Sequence, residues 1–234
     1  MSRTVIVGDV HGCLAELEEL LAKIGLCRDD RLYFVGDLLA RGPDSAGVVA
    51  LAAKHAAVVV RGNHEEKLLR WRHEQRTGMA QTKLSAMHAR VARSLDGAAW
   101  RFLARTPLWV ELPEHALSIV HAGLVPGIPV DHQARSTLLT VRTLGPAGEP
   151  DERPGAGPLW GTAYTGPPHV VFGHNARREP QIHPWATGID TACVYGGSLT
   201  AVVLREGERM PDAPDRRFVL VSVPAHRAWY RGRG

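Results

Sequence analysis

Lysine is almost missing from this 234-residue chain, which carries four against 24 arginines. A GC-rich coding sequence produces such a bias without any function, so the net charge of +4 names no partner by itself. Cysteine is scarce as well: Cys13, Cys27 and Cys193 are odd in number, far apart and without C-x-x-C spacing. That excludes a disulfide framework and reads as free thiols in a cytoplasmic protein. No stretch approaches the ~18 apolar residues of a membrane helix. The chain runs from Met1 through the apolar Thr4–Val7 into charged residues, so neither an anchor nor a targeting leader is expected. What is present fits a soluble globular protein: 44% apolar and 22% charged residues, with 24 Gly and 16 Pro marking ordered turns. One α/β domain spanning 1–234 is expected, burying roughly 70–75% of its unfolded surface.

Thr4–Gly8 reads as a buried strand, and Leu14–Ile24 as a helix with Leu14, Leu17, Leu20, Leu21 and Ile24 at helical spacing. The unit recurs as strand Arg31–Val35 with helix Ala46–Lys54, then strand Ala57–Val60 with helix Glu65–His73. Three such units in series predict parallel pairing with right-handed crossovers. Residues 80–105 contain no proline and read as more helix, giving a helical cap insertion at about 65–105. Nine Lys/Arg stand there against four acids, a field that attracts anions. Trp71 and Trp100 are candidate base stackers, although a helical tryptophan is more often core. Later strands at Leu108–Leu112, Leu117–His121, Val170–Gly173, Ser198–Arg205 and Phe218–Val223 predict mostly antiparallel pairing. Segments 143–169 and 206–216 read as loop, and Arg227–Gly234 as a partly disordered tail. The sum is two packed mixed β-sheets flanked by helices, a four-layer α-β-β-α arrangement.

Metal-type side chains stand directly after the apolar strands. Asp9 and His11 lie in G-D-V-H-G, Asp37 in G-D-L-L-A-R-G, and Asn63 and His64 in G-N-H-E. A single Gly-Asp pair is usually turn chemistry. Parallel strands, however, gather their C-terminal loops along one sheet edge, where open α/β sheets bind ligands. His121 in V-H-A-G and His174 in F-G-H-N follow strands in the same way, unlike the other eight of the twelve histidines. Imidazole, carboxylate and carboxamide ligands without a thiolate suit Mn, Fe, Co, Ni or Zn. So many ligands need two ions, which a shared carboxylate can bridge.

Together these strings resemble the calcineurin-like metallophosphoesterases, in the branch of phosphoprotein phosphatases, bacterial diadenosine tetraphosphatases and the phage lambda protein phosphatase. The resemblance runs from Val5 to about Leu204. It implies Asp9, His11 and Asp37 as ligands of a first metal. Asp37 would bridge to a second metal completed by Asn63, His121 and His174. Mn2+ is the first candidate, with Co2+, Ni2+, Fe2+ or Zn2+ as alternatives. His64 matches the general acid and Arg41 a phosphate clamp; Pro129–Gln133 repeats the phage P-V-D-H-Q string and makes Arg142 the second clamp. Asp190, in I-D-T-A-C-V-Y-G-G-S-L-T, would support the site from behind the ligands.

One departure bears on the substrate. Protein phosphatases of the branch carry G-D-x-x-D-R-G, and the second Asp, which pairs with the acid histidine, is Ala40 here. Without that carboxylate, leaving groups that are already stable anions are favoured, which points to phosphoanhydrides. The expected activity is symmetrical cleavage of diadenosine tetraphosphate to two ADP by a metal-bridging hydroxide. A serine/threonine or dual-specificity protein phosphatase is the alternative, supported by P-V-D-H-Q, and removal of nucleotide caps from RNA is a third. A nucleic-acid-binding protein with a vestigial site has only the pI of 9.2 behind it. No recognition motif for stable nucleic-acid binding is present.

Overall fold

The computed structural model describes residues 2–79 and 81–232. The chain alternates at first: β1 (Arg3–Val7), α1 (Leu14–Ile24), β2 (Arg31–Phe34), α2 (Ser45–Lys54), β3 (Val58–Val59) and α3 (Asn63–Thr77). Helices α4 (Ala86–Ser94) and α5 (Gly97–Ala104) follow, then β4 (Trp109–Leu112) and β5 (Leu117–Val120). Next come α6 (Arg135–Thr140), a ribbon of β6 (Thr143–Leu144) and β7 (Pro150–Asp151), α7 (Trp160–Ala163) and β8 (His169–Phe172). Strands β9 (Gln181–Ile182), β10 (Ala186–Gly188), β11 (Ser198–Arg205) and β12 (Leu220–Pro224) complete it.

Two five-stranded sheets result, ordered β12-β11-β1-β2-β3 and β4-β5-β8-β10-β9. In the first, β1, β2 and β3 are parallel, and β11 and β12 close the edge antiparallel. In the second, β5, β8 and β10 are parallel, while β4–β5 and β9–β10 are antiparallel, so the later pairings are mostly antiparallel as expected, with a parallel centre that the sequence did not indicate. The β5–β8 crossover passes through α6, which the sequence reading left unassigned, and through β6, β7 and α7, which it read as loop. Helices of six and four residues, broken by Gly and Pro, leave too few turns for a periodic pattern.

Alternation along the strands explains the layers. Ile6, Tyr33, Val35, Leu117, Ile119, Val171, Val202 and Leu204 fill the space between the sheets. Val5, Val7, Leu32 and Phe34 point the other way, where Leu17, Leu20, Val48 and Val49 of α1 and α2 cover them. Leu68, Val91, Trp100 and Leu103 of α3–α5 join the same core, so Trp100 packs inside. Leu138 of α6 and Trp160 of α7 close the outer face of the second sheet. The C-terminal segment, expected to be partly disordered, is held as far as it is described: Trp229 Nε1 donates to Glu16 at 2.6 Å and Tyr230 N to Val194 O at 3.0 Å. Arg233 and Gly234 lie outside the described residues. Cys13, Cys27 and Cys193 are unbridged. Among the described residues, no helix is long and apolar enough to cross a membrane.

Candidate active site

Each sheet delivers side chains from the C-terminal ends of its parallel strands. Asp9 and His11 follow β1, Asp37 follows β2, and Asn63 and His64 open α3 after β3; His121 follows β5, His174 follows β8 and Asp190 follows β10. All except the partly covered Asn63 are buried, with Asp37 at 1% exposure and His121 at 0%. Reaching one point demands unusual backbone: His11, Asp37, Arg41 and His174 have φ of 48°, 49°, 67° and 64°, in the left-handed region that non-glycine residues seldom occupy. Two glycines make room. A Cβ on Gly62 would collide with Asp37, and one on Gly173 with Asp9.

Asp37 is the hub. Its Oδ2 lies 3.6 Å from His11 Nε2, 3.6 Å from His121 Nε2 and 3.9 Å from His64 Nε2, while Oδ1 accepts from His64 N at 3.0 Å. Ligating atoms fall into two groups, His11–Asp37–His64 and Asp37–His121–His174, each within 4.8 Å, and Asp37 belongs to both. Asp9 accepts from His174 N at 3.1 Å and sits 4.0 Å from His11 Nε2.

These groups fit divalent cations on their own geometry. His11 Nδ1 is 2.9 Å from Leu39 O and His121 Nδ1 is 3.0 Å from Val35 O; donating there leaves each Nε2 with its lone pair turned inward. The Arg41 guanidinium donates to His11 Nε2. Asn63 Oδ1 lies 3.0 Å from both His121 Nε2 and His174 Nδ1; with the His121 proton on Nδ1, its Nε2 lone pair faces the Asn63 oxygen, and the buried His174 Nε2 has no partner. Burial pushes the four rings downward, with His11 near 4, and keeps them neutral. Burial, Asp190 and Asp37 push the Asp9 carboxyl up, and burial raises Asp190 to about 6. Burial also acts upward on Asp37, but the histidines and Arg41 around it outweigh this and hold it below the carboxylate range. Crowded acids and inward lone pairs are a charge arrangement that cations relieve.

Sequence reasoning missed Glu65. Its buried Oε2 accepts from Asp37 N at 2.8 Å and Gly62 N at 2.9 Å, tying the β2 loop to α3. Burial and Asp37 raise its carboxyl from 4.5 to about 8, so ionising it costs the folded state, and stability falls as pH rises through that window. Glu65→Gln keeps the acceptor and removes the titration. In metal-free protein, the variant should therefore lose less stability than wild type between about pH 5 and 8, read by denaturant unfolding. Parallel losses in the two proteins would place the titration elsewhere.

Arg41, Arg142 and Asp190 line a cavity of about 610 Å³ together with Asn63 and His174. Arg177, Arg178 and Tyr195 line it too; the G-H-N-A-R-R run was the available signal for the first two. No residue of 65–105 lines this cavity among the described residues. Arg70 instead bonds Glu74, and Arg72 lies over Trp100 at 4.4 Å, because α3–α5 turn their apolar faces to the core and their arginines outward.

The fold and the His/Asp cluster define a metal-dependent phosphoesterase, and the chain belongs to the calcineurin-like phosphoesterases, whose family pattern matches residues 2–205. A relative from Halalkalibacterium halodurans, named bis(5'-nucleosyl)-tetraphosphatase PrpE [asymmetrical], is 34% identical over 87% of this chain and 90% of its own. One of the same name from Oceanobacillus iheyensis is 30% identical over 92% and 93%. A crystal structure proposed to be of a diadenosine tetraphosphatase superposes with a TM-score of 0.81 at 37% identity, covering 95% of this chain and 93% of that one.

Proposed function

We propose that this chain hydrolyses dinucleoside polyphosphates, releasing AMP and ATP from diadenosine tetraphosphate. The observation that carries this reading is the cavity beside the ligand cluster, where Arg41, Arg142, Arg177 and Arg178 share about 610 Å³. Among the described residues, none of the four pairs with a carboxylate, whereas Arg3, Arg31, Arg61, Arg70, Arg135 and Arg153 do. One guanidinium fork suffices for a phosphate monoester; four spread along one cavity suit a chain of phosphates. The relatives' names support the substrate and favour the asymmetrical cut over the symmetrical one that the sequence resemblance implied.

In this reading Asp9, His11, Asp37, Asn63, His121 and His174 hold two divalent ions, Mn2+ foremost, which would supply an activated water and positive charge at the phosphoryl oxygens. Arg41 and Arg142 orient the phosphoryl group. His64 Nε2 gives a proton to the leaving oxygen, and the phosphate's charge works against the downward push of burial on that ring. Asp190 accepts from Ala192 N at 3.1 Å and fixes the loop behind the cavity.

Chromatography of the first products from metal-replete protein and diadenosine tetraphosphate tests the reading. AMP with ATP is expected. Two ADP would restore the symmetrical cut, and turnover confined to phosphoserine peptides would replace the dinucleotide reading with a protein phosphatase. Arg41→Ala and Arg142→Ala should each lower kcat/KM by about 10- to 100-fold, the worth of a charge-assisted hydrogen bond, at unchanged metal content. Unchanged kinetics for Arg142→Ala would leave it a surface arginine.

A further inference from the structure

Ala40 occupies the position from which a carboxylate would support His64, yet His64 Nδ1 is not left bare. His88 Nε2 from α4 lies 2.9 Å away, with the two ring planes 13° from parallel, and His88 Nδ1 lies 2.8 Å from Ser85 Oγ. His88 is 5% exposed, and burial together with Lys67 pushes its ring down to about 4. A neutral imidazole offers one donor and one acceptor, so it links its neighbours in series.

We propose that His88, backed by Ser85, is a positioning residue that holds His64 with its Nε2 toward the phosphate. This rests on the phosphoesterase reading with His64 as acid. His64 Nδ1–H donates to His88 Nε2, and His88 Nδ1–H donates to Ser85 Oγ, which also caps α4 by accepting from His88 N. Nε2 is then the one His64 nitrogen free to exchange a proton with substrate. With the anionic phosphate beside it, His64 takes up a second proton from solvent on Nε2; as water's oxygen bonds to phosphorus and the bond to the leaving oxygen breaks, that proton passes to the leaving oxygen, and the neutral ring keeps its Nδ1–H and its bond to His88. A neutral ring orients as a carboxylate does but adds no negative charge, which matches substrates whose leaving groups need little protonation.

Phenyl phosphate and 2,4-dinitrophenyl phosphate, a poor and a good leaving group, separate orientation from folding. His88→Ala should lower kcat on phenyl phosphate by about tenfold or more and on the dinitrophenyl ester by under about threefold, with KM and metal content unchanged. His88→Gln, whose amide reaches the Nε2 position, should recover most of the loss. In a His64→Ala background, His88→Ala should cost nothing further. Equal losses on both esters, or losses that add to those of His64→Ala, would overturn the role of His88. If His64→Ala itself spares phenyl phosphate turnover, the acid assignment of His64 fails and the inference falls with it.

Discussion

Asp37→Asn is expected to leave fewer than two divalent ions on each chain and to cut kcat by more than about a hundredfold. The substitution keeps shape and removes charge, so its effect isolates what the carboxylate does. Asp37 alone belongs to both groups of ligating atoms, and its Oδ2 stands within 4 Å of three imidazoles. A neutral amide offers one oxygen where two cations need a shared anion. Altering a group that merely orients a ligand commonly costs 10- to 100-fold in affinity or activity, so losing the shared ligand costs more. Elemental analysis after gel filtration, beside initial rates on diadenosine tetraphosphate, checks both halves. Two ions per chain with wild-type turnover would remove Asp37 from the bridging position.

His64→Ala should separate metal binding from chemistry. Both ions stay, because the ligands from the two sheets are untouched, while kcat on diadenosine tetraphosphate falls by roughly 10²–10⁴-fold, the usual share of a positioned acid. Excess manganese should recover nothing. If added metal restores the rate, the ring is a ligand after all, which its place 3.9 Å from Asp37 Oδ2 makes the natural competing role.

The residues of the cluster were legible in the sequence because each follows an apolar strand, with glycine next to it or, at His64 and His121, two residues away, and parallel strands send such residues to one edge. Gly62 and Gly173 are glycine because Asp37 and Asp9 stand where a Cβ would be. The parallel pairing of β5, β8 and β10 was not legible, since the crossover helices are too short to carry a period. His88 and Glu65 were hidden for another reason. Nothing local marks a histidine in a basic helix as the partner of one 24 residues earlier, nor a glutamate in a first turn as a buried acceptor; only the packing of α3 and α4 against the β2 loop brings them there. Charge counts do not tell which side of a helix faces a cavity, and among the described residues none of 65–105 lines the one beside the cluster.

The cluster draws Asp9, His11, Asp37 and Asn63 from one sheet and His121 and His174 from the other, so a cation held by Asp37, His121 and His174 would be gripped by both halves of the sandwich. Its binding free energy then counts as cohesion between them, growing with the logarithm of free metal concentration. Chains synthesised under metal starvation would keep their strands but open more often along this seam, and the opened form is the one proteases cut. The amount of this protein in a cell would thus follow the supply of its cation, with no dedicated sensor required.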